Sequence, residues 1–178
     1  SPHLEELVRR ATDSGANCRG IQTNALKLAT GDLADRLVDA GLNHAHVSLH
    51  DVDPSRYLKI TGFGTPEETI RGTQRLMERG VAVSISLVIN KVNVEHLLPT
   101  VRAIHQELPE AWLVLAVARE HPYVTRAWHQ TLVRYERAGA RLVEALAEAH
   151  RLGMKVVSAG TCGLPPCVLG EEGARLDG

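Results

Sequence analysis

The alternation of apolar and polar positions is sharpest between His44 and Asn93. In the first run, His46, Ser48 and His50 fall on one side of an extended chain, and Ala45, Val47 and Leu49 on the other. In the second, Ser84 and Ser86 oppose Val83, Ile85 and Leu87, and the run closes at Asn90. Successive side chains of a strand point to opposite faces. Each strand therefore carries one greasy face for helices and one small, polar face. A parallel sheet covered on both faces reads instead as continuous apolar runs. The polar face needs a wet or reactive interior, and a barrel with a pocket provides one.

The flanking chain repeats the strand–helix pair. Leu4, Leu7, Val8 and Ala11 recur at helical spacing behind a Ser1 cap and Pro2, and Gly15 ends that helix. A short strand follows over Gly20–Asn24, then a helix over about Asp32 to Ala40. The strand His44–His50 leads into a loop holding Asp51, Asp53 and Gly62-Phe63-Gly64. Thr65, Pro66 and Glu68 make a capping box for a helix that runs to Arg79. Next come the strand 82–89, the polar loop Asn90–Asn93 and a helix through Leu98 to Leu108. The apolar strand Leu113–Ala118 ends in Arg119-Glu120-His121, three candidates for substrate contact at the rim. A long amphipathic helix is predicted over about Thr125 to Leu152, with Arg134, Arg137, Arg141 and Arg151 on its wet face beside Glu136, Glu144 and Glu148. The last strand is Lys155–Ala159. Such βα alternation implies a parallel sheet with right-handed crossovers. The polar inner faces favour a TIM-type (β/α) barrel over a doubly wound sheet, with chemistry at the C-terminal strand ends. Residues 1–170 read as this domain and residues 171–178 as a loose tail.

Composition narrows the chemistry. At 178 residues the chain suits one domain, and with aromatics at 3% its core must be Leu, Val, Ile and Ala. A net charge of -1 gives no electrostatic case for nucleic acid. No apolar run reaches the roughly 18 residues of a membrane helix. Three cysteines form no even disulfide framework, which favours a reducing compartment. The expectation is a soluble, cytoplasmic α/β domain. Neither GxGxxG nor GxxxxGK[ST] is present, so phosphate loops are unsupported. His46 and His50, with Asp51 and Asp53 nearby, invite a metal reading. Residues four apart on a strand lie about 13 Å apart, too far to share one ion. Cys18 reads as structural.

The ordered set of strand ends carries a resemblance. Ile21-Gln22-Thr23-Asn24, the helix closing at Ala40-Gly41-Leu42, Val47-Ser48-Leu49-His50, the Thr61-Gly62 loop, the helix Thr65–Gly72 and Val88-Ile89-Asn90-Lys91-Val92-Asn93 together resemble the middle of a radical S-adenosylmethionine (radical SAM) enzyme. Ser1–Leu7 looks like the helix after that family's GGEP motif, and Gly163–Cys167 is similar to its "giPpC" segment. Ala25 stands where the family usually has the Gly of T-N-G. The family's CxxxCxxC and GGEP do not occur in these residues. The resemblance therefore implies a partial barrel of about five βα units whose first strands, with the cluster ligands, lie upstream of Ser1.

It also implies the cofactors, S-adenosylmethionine (SAM) and a 4Fe-4S cluster, which cleaves SAM to a 5′-deoxyadenosyl radical for hydrogen abstraction. Ser48, Ser86, Asn90 and Asn24 are the implied SAM-binding residues. Cys162 and Cys167 are candidates for an auxiliary cluster. The intact enzyme would take a small-molecule or peptide substrate and an electron donor, and these 178 residues alone would be inactive. Two alternatives are another TIM-barrel enzyme, such as a metal-dependent isomerase or aldolase, and a non-catalytic SAM- or peptide-binding module. A sheet lacking its first strands would expose an edge at Ile21, a site for association.

Overall fold

The structure is a computed structural model that describes residues 3–118 and 131–158. The described residues form five strands, β1 (Gly20–Thr23), β2 (His44–Ser48), β3 (Ala82–Ile89), β4 (Trp112–Val117) and β5 (Val156–Ser158). Their spatial order is β1-β2-β3-β4-β5, and every neighbouring pair is parallel. A doubly wound sheet reverses its strand order at a switch point. Here the order never reverses, so successive crossovers wind the same way and form one arc of a barrel wall.

The helices are α1 (Leu4–Asp13), ahead of β1, and between the strands α2 (Leu33–Asp39), α3 (Pro54–Thr61), α4 (Pro66–Glu78), α5 (Leu97–Glu107) and α6 (Tyr135–Arg151). The face they cover is fully apolar: Val47, Ile85, Leu87 and Leu113 are completely buried. Burying such side chains contributes about 1.5–3 kcal/mol each, so this face drives the sheet onto its helices. On the opposite face His44, His46, Ser48, Trp112 and Val114 are only half-buried. The sequence alternation thus maps directly onto helix side and barrel side.

Local chemistry fixes the boundaries. Thr65 and Glu68 form the predicted capping box at α4, each side chain bonding the other's backbone. The first helix begins at Leu4 with His3 in the cap position and no side-chain cap bond. The Ser1 cap of the sequence reading falls outside the described residues.

Two further expectations are corrected. The segment 51–64 is no plain loop but contains α3, capped by Asp53, whose side chain accepts the Arg56 amide, with Pro54 in its first turn. Gly62 at φ 78° closes it. The long helix starts at Tyr135 rather than near Thr125, because Arg134 is extended (φ -66°, ψ 140°). Ahead of it the Thr131 carbonyl accepts the Lys91 amide at 2.8 Å, and Val133 is buried, which ties this stretch to the sheet end. On the wet face of α6 the expected pairs Arg134–Glu136, Arg141–Glu144 and Arg151–Glu148 form at 3.6, 3.0 and 2.7 Å, and contacts to neighbouring elements add to them. Arg137 and Arg141 both reach Glu95, ahead of α5, at 2.5 and 2.8 Å. Glu148 takes Arg102 of α5 as well as Arg151.

The outer edge of β1 has no strand partner among the described residues. A groove of about 760 Å³ runs beside it, walled by Leu4, Ile21, Leu28, Leu33 and Leu37.

Candidate functional site

Register turns the polar face into layers. Gln22, His46, Ser84 and Trp112 stand in one row across four strands. One step toward the C-terminal ends, Ser48, Ser86 and Val114 form the next.

The lower layer is satisfied from within. His46 Nδ1 lies 2.8 Å from Ser84 Oγ, and His44 Nε2 lies 3.5 Å from the same hydroxyl. Burial, and then the neighbouring His44, push the His46 pKa below its ordinary value, so the ring is neutral. Trp112 tilts against His44 with ring centres 6.2 Å apart. This layer is held by its own hydrogen bonds and ring contact.

The upper row differs. The hydroxyls of Ser48 and Ser86 have no hydrogen-bond partner among the described residues, although Ser86 is buried. Neither oxygen is sealed from solvent, so both hydroxyls stand open on the barrel side to a ligand that accepts or donates there. These two residues, on adjacent strands and in register, are the sequence-expected site residues that the fold brings together.

Asn90 and Asn24 sit at strand ends on the same rim, but their amides are engaged locally. Asn90 Oδ1 accepts the Val92 amide at 2.8 Å, and its Nδ2 lies 3.3 Å from the Val88 carbonyl. Asn24 Oδ1 accepts the Leu26 amide at 3.3 Å. Both thus turn the chain after a strand, the common use of Asn there. Asn93, which sequence reasoning did not single out, has the more central place. Its Nδ2 donates to the carbonyls of His50 (2.7 Å) and Val88 (2.9 Å), and its Oδ1 accepts the Asn90 amide at 2.8 Å. It therefore locks the ends of β2 and β3 together. The available signal was the Asn-x-x-Asn spacing directly after an apolar strand.

His50 also ends β2. Its Nδ1 accepts the Val88 amide at 3.2 Å, taking over a ladder position. Burial lowers its pKa, with a backbone contact at Ser86 working more weakly the other way. Asp51 is completely buried and paired bidentately to Arg56 at 2.7 and 3.0 Å. Asp51 and Asp53 thus anchor α3 and are not available as metal ligands. Among the described residues no group of three His, Cys, Asp or Glu side chains could hold a metal ion.

The turn after β1 is tight. Ala25 adopts the left-handed conformation (φ 58°, ψ 0°) and is fully buried. Gly72 of α4 packs directly on it: a Cβ there would stand 2.2 Å from the Ala25 carbonyl oxygen. Thr69 Oγ1, one turn earlier, donates to the Asn24 carbonyl at 3.0 Å and lies 2.8 Å from the Tyr57 hydroxyl. Cys18 is exposed and free rather than part of the core. Cys162, Cys167, Arg119, Glu120 and His121 lie outside the described residues.

The chain is similar to known proteins in both sequence and fold. Residues 1–104 match the family model of the radical SAM superfamily. A "Probable GTP 3',8-cyclase" of Methanocaldococcus jannaschii is 36% identical over 88 residues, 49% of this chain and 27% of that protein. One of Sulfurisphaera tokodaii is 30% identical over 95 residues, 53% of this chain and 30% of that protein. The match thus spans less than a third of the length of these relatives. A domain of pyruvate-formate lyase-activating enzyme from Bacteroides vulgatus superposes with a TM-score of 0.65 at 13% identity, covering 89% of this chain and 91% of that one. Methylornithine synthase superposes with a TM-score of 0.59 at 11% identity, covering 92% of this chain and 54% of that one. These two likenesses concern the fold. With the family model spanning more than half of its residues, the chain belongs to the radical SAM superfamily.

Proposed function

We propose that this chain is the part of a radical SAM enzyme's barrel wall that holds SAM against its inner face. The observation that carries the reading is the in-register pair Ser48 and Ser86, whose hydroxyls are unspent beside a layer in which His46 and Ser84 bond each other. Two small hydroxyls suit the carboxylate or ribose of SAM. Asn24 and Asn90 border the same rim and shape its loops. When bound, SAM supplies a carbon radical that abstracts hydrogen from a substrate, and the protein's part is to bind, orient and shield.

The residues described do not fit the iron–sulfur cluster. Such clusters are held by cysteine thiolates, and the described cysteine, Cys18, is exposed and stands alone. The cluster ligands of the intact enzyme lie elsewhere than in this part of the wall. Cys162 and Cys167 remain candidates for an auxiliary cluster. The relatives are probable GTP 3',8-cyclases, but the shared stretch is this wall, so it supports a common cofactor and leaves the substrate as a small molecule or a peptide. An electron donor completes the requirement.

The test is 5′-deoxyadenosine release by the intact protein, reduced with dithionite in the presence of SAM. Release is expected, falling at least tenfold in the Ser48→Val/Ser86→Val double variant. Full release by the double variant would contradict the assignment of these residues.

A further inference from the structure

We propose that the cavity between His50 and Lys59, next to the Ser48–Ser86 row, seats an acidic group of the substrate, a carboxylate or a phosphate. The proposal rests on the reading of that row as the SAM site. His50 lies two residues beyond Ser48, about 7 Å along the strand direction. The cavity is therefore on the C-terminal side of the row, where a substrate meets the cofactor in barrels of this kind.

Size comes first. The cavity holds about 170 Å³, below the roughly 300–1,000 Å³ of pockets that enclose a whole ligand. It suits one functional group. Ile60, Val88 and Val92 form an apolar wall, and His50, Lys59, Asn90 and Thr131 supply polar groups.

The polar inventory then selects the charge. His50 Nδ1 accepts the Val88 amide, so the proton of the neutral ring sits on Nε2, a donor. The His50 backbone is fixed by Asn93, which holds its carbonyl at 2.7 Å. Asn90 Oδ1 is already spent on the Val92 amide. Lys59, exposed near the end of α3, makes no ion pair with the described residues. The carboxylates closest in sequence, Asp51 and Asp53, are turned to Arg56. One imidazole N–H and one ammonium stand beside the Thr131 hydroxyl, so donors with a cation prevail in the cavity. Such a donor-rich set favours an anion over a cation.

The test uses the intact protein at pH 7.5 with ¹⁵N-labelled histidine. Inorganic phosphate and acetate are titrated separately at constant ionic strength against chloride. A saturable shift of the His50 ring resonances is expected at millimolar concentration. The probe that saturates lower identifies phosphate or carboxylate as the preferred group. Lys59→Met should weaken the response at least fivefold, and Arg134→Gln, at an exposed cation elsewhere, should leave it unchanged. The absence of a saturable shift with both probes overturns the proposal, as does an undiminished shift in Lys59→Met. SAM is titrated in parallel. Loss of SAM binding in Ser48→Val/Ser86→Val with no anion response sinks this proposal alone, whereas a Lys59-dependent anion response with SAM binding indifferent to the serines sinks the cofactor reading and keeps the seat.

Discussion

At the residue scale, the turn after β1 shows how closely the wall is fitted. A non-glycine residue in the left-handed region costs about 1–2 kcal/mol. Replacing Ala25 by Gly removes that cost, but it forfeits a buried methyl, about 0.8 kcal/mol, and frees the unfolded chain by about 0.4–1 kcal/mol. Ala25→Gly should therefore change stability by less than about 1 kcal/mol, which accounts for alanine being accepted in a glycine turn. Gly72→Ala has no such offset. Its methyl would meet the Ala25 carbonyl oxygen at 2.2 Å, and overpacking of this kind costs about 1–3 kcal/mol. Urea unfolding of the two variants checks both statements. A neutral Gly72→Ala would mean that α4 sits farther from the turn.

The histidines set a pH dependence. Both His46 and His50 have folded pKa values pushed below 6.5. The unfolded chain then binds more protons below pH 6.5, so stability falls as the pH drops from 6.5 toward the folded values. The deficit is absent above 6.5. Glu148, held at about 2 by Arg151 and Arg102 against an ordinary 4.5, adds a separate loss below pH 4.5. In a melting series from pH 7.5 to 5, His50→Gln should show a flatter curve than the wild type. An equal slope would contradict the neutral, amide-accepting ring. The same residues show what a sequence can and cannot disclose. Ser48 and Ser86 were legible because strand period alone places them on the polar face. That Asn90 and Asn24 spend their amides on their own loops, and that Asn93 clamps two strands, depends on turn geometry that residue types do not encode.

At the element scale, α3 is the main feature that pattern reading missed. Its eight residues are too short for a clear helical period, and Gly62-Phe63-Gly64 reads as a loop. The signal was Asp53 followed by Pro54, a cap and a first-turn proline. Asp53→Ala should destabilise the protein by about 1 kcal/mol, measurable as a shift in melting temperature, with a larger effect excluded if the Asp51–Arg56 pair holds the helix in place. The start of α6 was misplaced for a related reason. Apolar residues at 132 and 133 fit a helical period, yet they belong to an extended stretch hydrogen-bonded to the loop after β3. The five strands and the capping box of α4 were legible because periods of two and a Thr-Pro-x-Glu cap are local facts.

At the scale of the whole molecule, the sheet is an arc with its helices on one side and a layered polar face on the other. Among the described residues no helix is long and apolar enough to cross a membrane. The unpartnered edge of β1, with its leucine-lined groove, is a template for another strand. The isolated 178-residue chain should therefore self-associate at micromolar concentration in light scattering, and a cooperatively melting monomer would contradict this. The arc places its two unspent hydroxyls in one row next to the hydrogen-bonded His46–Ser84 layer. The most direct measurement is equilibrium binding of labelled SAM to the intact protein and to two variants, Ser48→Val/Ser86→Val and His46→Gln. Losing two hydrogen bonds of about 0.5–1.5 kcal/mol each predicts at least a fivefold weakening in the first variant. The second, altered only in that layer, should bind as the wild type does. Equal affinity in the serine variant, or the loss appearing in His46→Gln instead, would place SAM somewhere other than this row.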